Sequence, residues 1–166
     1  MDVDTRPEPP NSGDERAILV GFLEFLRATV VVKASGLSDD DARRRLLPSL
    51  TTVAGLIRHL ADVERTWFRE VVDGQTTVVT RWSAEDPDGE FRVGPDDTLA
   101  GVLADYESAC AESREVIARY RPDDACTGGS GSHDVRWVLV HMIEETGRHC
   151  GHLDILREML DGRTGE

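Results

Sequence analysis

Residues 134–162 read DVRWVLVHMIEETGRHCGHLDILREMLDG. Asp134 is a helix-capping residue and Gly162 a helix-ending one, and between them apolar side chains recur at the three-and-four spacing of a helix with one buried side. The predicted inward stripe is Val138, Met142, Glu145, His149, His152, Leu156 and Met159, so three consecutive stripe positions are polar. At about 100° per residue, Glu145 and His149 lie about 40° apart, with His152 about 20° to the other side of Glu145. Burying an unpaired carboxylate or imidazole costs several kcal/mol, comparable to the whole stability of a small domain. Such a window requires partners, water or an ion.

Upstream, the same periodicity recurs three more times. A first helix is predicted from Asp14 to about Lys33, with Ile18, Phe22, Phe25, Leu26 and Val30 inward. A second, capped by Thr51 or Thr52, carries Val53, Leu56, Leu60, Val63, Trp67 and Val71 and ends at Gly74. A third runs from Thr98 to Tyr120 before Pro122, with Leu99, Val102, Tyr106, Ala109, Ser113, Val116 and Tyr120 inward. A short helix from Ser38, stopped by Pro48, links the first two. The periodicity disappears between Gly74 and Asp97, which is read as a long, partly extended loop, and CTGGSGSHD at 126–134 is a second connection. No run of alternating strand residues intervenes. The expected fold is all-α, a four-helix bundle with a long loop between its second and third helices. Residues 1–13, rich in Pro and charge, are expected to be a disordered tail on a single domain spanning 14–166.

Composition narrows the partners. The formal charge is −13 across 166 residues, which argues against a nucleic-acid surface, since that needs clustered Lys and Arg. The N-terminus lacks the basic and apolar parts of a secretory signal, and no segment is apolar enough to span a membrane. Cys110, Cys126 and Cys150, an odd number without CxxC spacing, read as reduced thiols, so a cytoplasmic location is expected.

The polar window on the last helix is where chemistry is expected. A carboxylate and an imidazole one turn apart can meet on a single cation at about 2 Å, a set that suits zinc first, and nickel, iron or manganese as well. His59, at the edge of the second helix's apolar stripe, is the candidate third ligand, leaving a fourth position open. The plainer reading is a weak Glu–His pair on a solvated helix face. His141 is expected near the bundle wall and His133 in solvent. Cys150 points about 100° from His149 and is expected in the core. Trp67, Trp137 and Tyr106 are read as core or pocket wall, and Trp82 as a possible lid over the site. Arg81 and Arg92 are read as holders of an anionic substrate or as solvated loop residues.

The stretches LIRHLADVERTWFREVVDG (56–74) and WVLVHMIEETGRHCGHLDILREMLDG (137–162) resemble the second and fourth helices of the DinB-like superfamily, in its mini-circle protein branch. The resemblance covers nearly everything after the N-terminal tail. It implies a DinB-type bundle with a divalent metal between helices two and four and, in many members, a homodimer. Members with assigned activity depend on a low-molecular-weight thiol, as in mycothiol-dependent maleylpyruvate isomerase and the bacillithiol or mycothiol S-transferases. Many relatives use three histidines; here Glu145 replaces one of them, which matches the His/Glu/His set of the isomerase and makes His59, Glu145 and His149 the implied ligands. His152 stands where many members carry Gln; it is the candidate catalytic residue, as a base that helps remove the thiol proton, with a partner to a ligand or a substitute ligand as the other roles open to it. The expected activity is metal-dependent thiol S-transfer, or thiol-assisted isomerisation, on a small electrophilic substrate with mycothiol as cosubstrate. A non-catalytic metal-binding or stress-response protein and a metal-dependent hydrolase are the alternatives.

Overall fold

Asp14, Ser38, Thr52, Thr98 and Asp134 each accept a hydrogen bond from the backbone N–H three residues later. These caps satisfy donors that a helix start leaves unpaired. They begin α1 (Glu15–Ala34), α2 (Asp39–Arg43), α3 (Val53–Glu64), α4 (Leu99–Ile117) and α5 (Val135–Asp161). The computed structural model describes residues 6–129 and 133–165. Among these no strand occurs, only an isolated bridge between Ala125 and Asp134, so the all-α expectation holds. No helix among them is long and apolar enough to cross a membrane.

Several boundaries and faces differ from the expected ones. α2 is a single five-residue turn, and α4 ends at Ile117, well before Pro122. Past Glu64, α3 continues as a π-helical segment, Arg65–Val72, whose wider turn brings Phe68 and Val72 into the core and leaves Val63, Trp67 and Val71 half-buried. On α1 the inward line is Leu23, Arg27, Val30 and Ala34, while Phe22 is exposed. On α5 the buried face is centred on Met142, Thr146, Cys150 and Leu153, which puts Glu145 at its edge and leaves His152 and Met159 exposed. Of the expected tail, residues 1–5 lie outside the described residues, as do 130–132 of the Gly/Ser connection. Residues 6–13 carry no helix, and Arg6 donates to Thr29 Oγ1 (3.3 Å) and lies over the Phe25 ring.

Two apolar clusters fill the interior. One holds Val30, Leu60, Cys110 and Leu153; the other Leu23, Phe68, Val116 and Met142. Between them, one residue from each long helix forms a polar layer of Arg27, Glu64, Ser113 and Thr146, all buried. Arg27 meets Glu64 through two hydrogen bonds of 2.8 and 2.6 Å and reaches Glu24 with its remaining arm at 2.7 Å. The order in which each chain segment passes this layer fixes its direction: α1 and α5 run one way, α3 and α4 the other.

That arrangement explains the long connection. Parallel neighbours cannot be joined by a tight turn, so residues 74–98 must travel back along the length of α3. They do so in contact with it: Arg81 meets Asp62, Glu90 meets His59 and Asp97 meets Arg58. The expected long loop is therefore a docked strap, with a 3-10 turn at Gly89–Phe91.

Candidate metal centre

His59 lies mid-way along α3, and α5 passes beside it carrying Glu145 and His149 one turn apart. Pairs of their ligating atoms are evenly spaced: His59 Nε2 to Glu145 Oε1, His59 Nε2 to His149 Nε2, and His149 Nε2 to Glu145 Oε1 are each 3.1 Å. These side chains are 15, 11 and 12 % exposed for His59, His149 and Glu145 respectively, sheltered yet reachable. Ligands at about 2.0–2.1 Å in tetrahedral geometry lie roughly 3.3 Å from one another, so the triangle matches the base of such a site.

The remaining atoms of the three groups are already committed. His59 Nδ1 is 2.8 Å from Glu90 Oε1, so Nδ1 donates its hydrogen and the Nε2 lone pair faces Glu145. Glu145 Oε2 accepts from Arg148 at 2.7 Å, which leaves Oε1 for the centre. His149 Nδ1 is 3.1 Å from His152 Nδ1; with His149 donating there, its Nε2 also presents a lone pair. Three lone-pair atoms aimed at one point repel unless a cation lies among them, which is the chemical sense in which these residues fit a metal ion. Among the described residues the trio is the one grouping of His, Cys, Asp and Glu side chains close enough to do so, and it is a candidate site for a divalent metal.

Without a metal, a proton takes that place. Burial opposes charge on His59, but hydrogen bonds to Glu145 and Glu90 outweigh it and raise its pKa to about 9. Hydrogen bonds from His149 and His59 hold Glu145 well below the usual carboxylate range. Burial, then the neighbouring His149, pushes His152 below the ordinary imidazole value, so it is largely neutral near pH 7.

Glu90 and Phe91 are the residues that periodicity could not find, because both sit in the aperiodic connection. Phe91 stacks on His59 with ring centroids 5.0 Å apart and so covers the centre; Trp82, the expected lid, is 47 % exposed and makes no ring contact with any of the three ligands. Arg81 is spent on Asp62 and Asp105, and Arg92 on Asp86, which answers the expectation of a substrate anion at either. Cys150 is buried with Sγ toward the Leu26 carbonyl, away from the centre, and burial pushes its thiol up to about 12. Tyr106 is core, whereas Trp137 is 44 % exposed. His141 packs between Trp67 and Trp137 at the wall, and His133 stacks on Trp137 at 4.0 Å where solvent was expected.

Beside His149 and His152 opens a cavity of about 220 Å3 with walls from Leu47, Leu56, Phe91, Ile155 and Leu156. A family model described as mycothiol-S-transferase matches residues 18–162. The chain belongs to the mycothiol S-transferase family. This is a DinB-like family, in agreement with the resemblance read from helices two and four. No curated protein matches the chain. Mycothiol S-transferase membership and the His–Glu–His cluster together point to use of a metal and of mycothiol, acting on a small-molecule substrate.

Proposed function

We propose that this chain is a metal-dependent S-transferase that joins the sulfur of mycothiol, or a closely related low-molecular-weight thiol, to a small electrophile. The observation that carries the proposal is the convergence of His59 Nε2, Glu145 Oε1 and His149 Nε2 at 3.1 Å beside an open cavity. Family membership supplies the thiol.

A divalent ion held by these three residues, zinc first among the candidates, supplies the positive charge that lowers the pKa of a coordinated thiol. Glu90 fixes the tautomer of His59, and Arg148 turns Glu145 so that one oxygen faces inward. With His149 Nδ1 as the donor, His152 accepts its hydrogen and, exposed and lining the same cavity, is the base proposed for the proton that the thiol sheds. Taking that proton requires its ring to swing off His149. The sulfur comes from outside the chain, because Cys110, Cys126 and Cys150 are all buried and none lies among the three ligands.

The decisive experiment measures metal content in protein purified without metal-affinity steps, together with conjugation of mycothiol to a bromoalkyl electrophile. Wild type is expected to carry close to one divalent ion per chain, and His59→Ala, Glu145→Ala and His149→Ala to lose both ion and activity. Unchanged metal content in Glu145→Ala and His149→Ala would sink the proposal.

A further inference from the structure

We infer that the electrophile accepted at this site is small, uncharged and apolar, and that anionic substrates are discriminated against; the inference rests on the S-transferase reading above. The cavity beside His149 and His152 has five apolar walls, and Thr51 is its one other polar lining residue. At about 220 Å3 it is smaller than the roughly 300–1,000 Å3 clefts that take drug-sized ligands, and matches a one-ring molecule.

No lysine or arginine lines it. The arginines within two residues of the lining in sequence are engaged elsewhere: Arg45 donates to the carbonyls of Pro48 and Ser49, Arg58 pairs with Asp97, Arg92 pairs with Asp86, Arg148 holds Glu144 and Glu145, and Arg157 pairs with Asp161 and donates to the carbonyls of Lys33 and Ser35. An anionic group entering the cavity loses hydration and meets no cationic side chain in its lining, and the two positive charges of a bound ion are already offset by Glu145, the thiolate and the nearby Glu90, so the anion gains no net counter-charge. An apolar ring instead covers Ile155, 57 % exposed, and Leu47, 39 % exposed, which solvent otherwise wets. The same cavity therefore disfavours isomerisation of a dicarboxylate such as maleylpyruvate.

For an alkyl bromide the step is a displacement. The thiol sulfur forms the new S–C bond as the C–Br bond breaks, bromide leaves with the bonding electron pair, and the thiol proton passes through His152 to solvent.

The test compares benzyl bromide with 4-(bromomethyl)benzenesulfonate, which share a reacting carbon and leaving group and differ in a weakly coordinating anion. With mycothiol as cosubstrate and the uncatalysed rate subtracted, kcat/KM is expected to favour benzyl bromide by about tenfold or more, the ratio that about 1.4 kcal/mol of lost solvation produces. In Ile155→Lys, altered at a half-exposed wall position, the ratio is expected to narrow or invert. Equal or faster turnover of the sulfonate by the wild type overturns the inference and leaves the S-transferase reading standing. Ligand-observed NMR of toluene against 4-methylbenzenesulfonate asks the same question without turnover. Stronger binding of toluene supports the inference even if neither bromide reacts, a result that would count against S-transfer alone; stronger binding of the sulfonate overturns it.

Discussion

His59 has two ring nitrogens with different obligations: Nδ1 to Glu90, and Nε2 to the shared centre with Glu145 and His149. Losing such an outer partner typically costs 10–100-fold in metal affinity. Glu90→Ala is therefore expected to weaken metal binding by about that factor in a competitive chelator titration, with helix content unchanged and Glu90→Gln partly restoring affinity. Equal affinity in wild type and Glu90→Ala would show that the strap does not orient the ligand. The proton that replaces the metal has its own signature. Since the folded pKa of His59 rises from 6.5 to about 9, the stability from its charged form is complete below pH 6.5 and is lost as pH rises through 9. The melting temperature of chelator-treated protein should fall across that window, and His59→Gln should flatten the decline.

At the scale of elements, the polar layer sets how the four long helices register. Arg27 and Glu64 are 2 and 1 % exposed and bonded twice, so removing one leaves a buried, uncompensated charge. Arg27→Met is expected to lower unfolding free energy by about 3–5 kcal/mol in urea, whereas Arg27→Met with Glu64→Leu should recover most of the loss. A double variant no more stable than the single would mean that the pair itself, not its desolvation, holds the layer. This layer was only partly legible beforehand. Ser113 stood in a predicted inward stripe, but Arg27, Glu64 and Thr146 did not, because a charged or hydroxyl residue at an inward position looks the same as one on a solvated face until its partner is known. The π-helical segment was hidden for a similar reason: an α-helical projection puts Trp67 inward, and the wider turn puts Phe68 there.

Across the whole molecule, the metal centre lies at the edge of the core and outside both apolar clusters. The two clusters pack all four long helices without help from the trio, so the proposed metal is expected to serve chemistry more than folding. Chelation is expected to abolish transfer while leaving far-UV circular dichroism intact and lowering the melting temperature only slightly. A collapse of helical signal on chelation would instead mark the ion as structural.

The order of helices, their starts at Asp14, Ser38, Thr51 or Thr52, Thr98 and Asp134, and the Glu145/His149 pair were all readable from the chain alone, because hydrophobic periodicity, capping chemistry and one-turn spacing are local properties. His59 was nominated on position and resemblance, yet its inward turn depends on α3 and α5 being neighbours. Glu90 and Phe91 carry no periodic signal at all. They reach the centre only because α3 and α4 run parallel, which obliges their connection to return along α3, and that direction is set by long-range packing that no local stretch of sequence encodes.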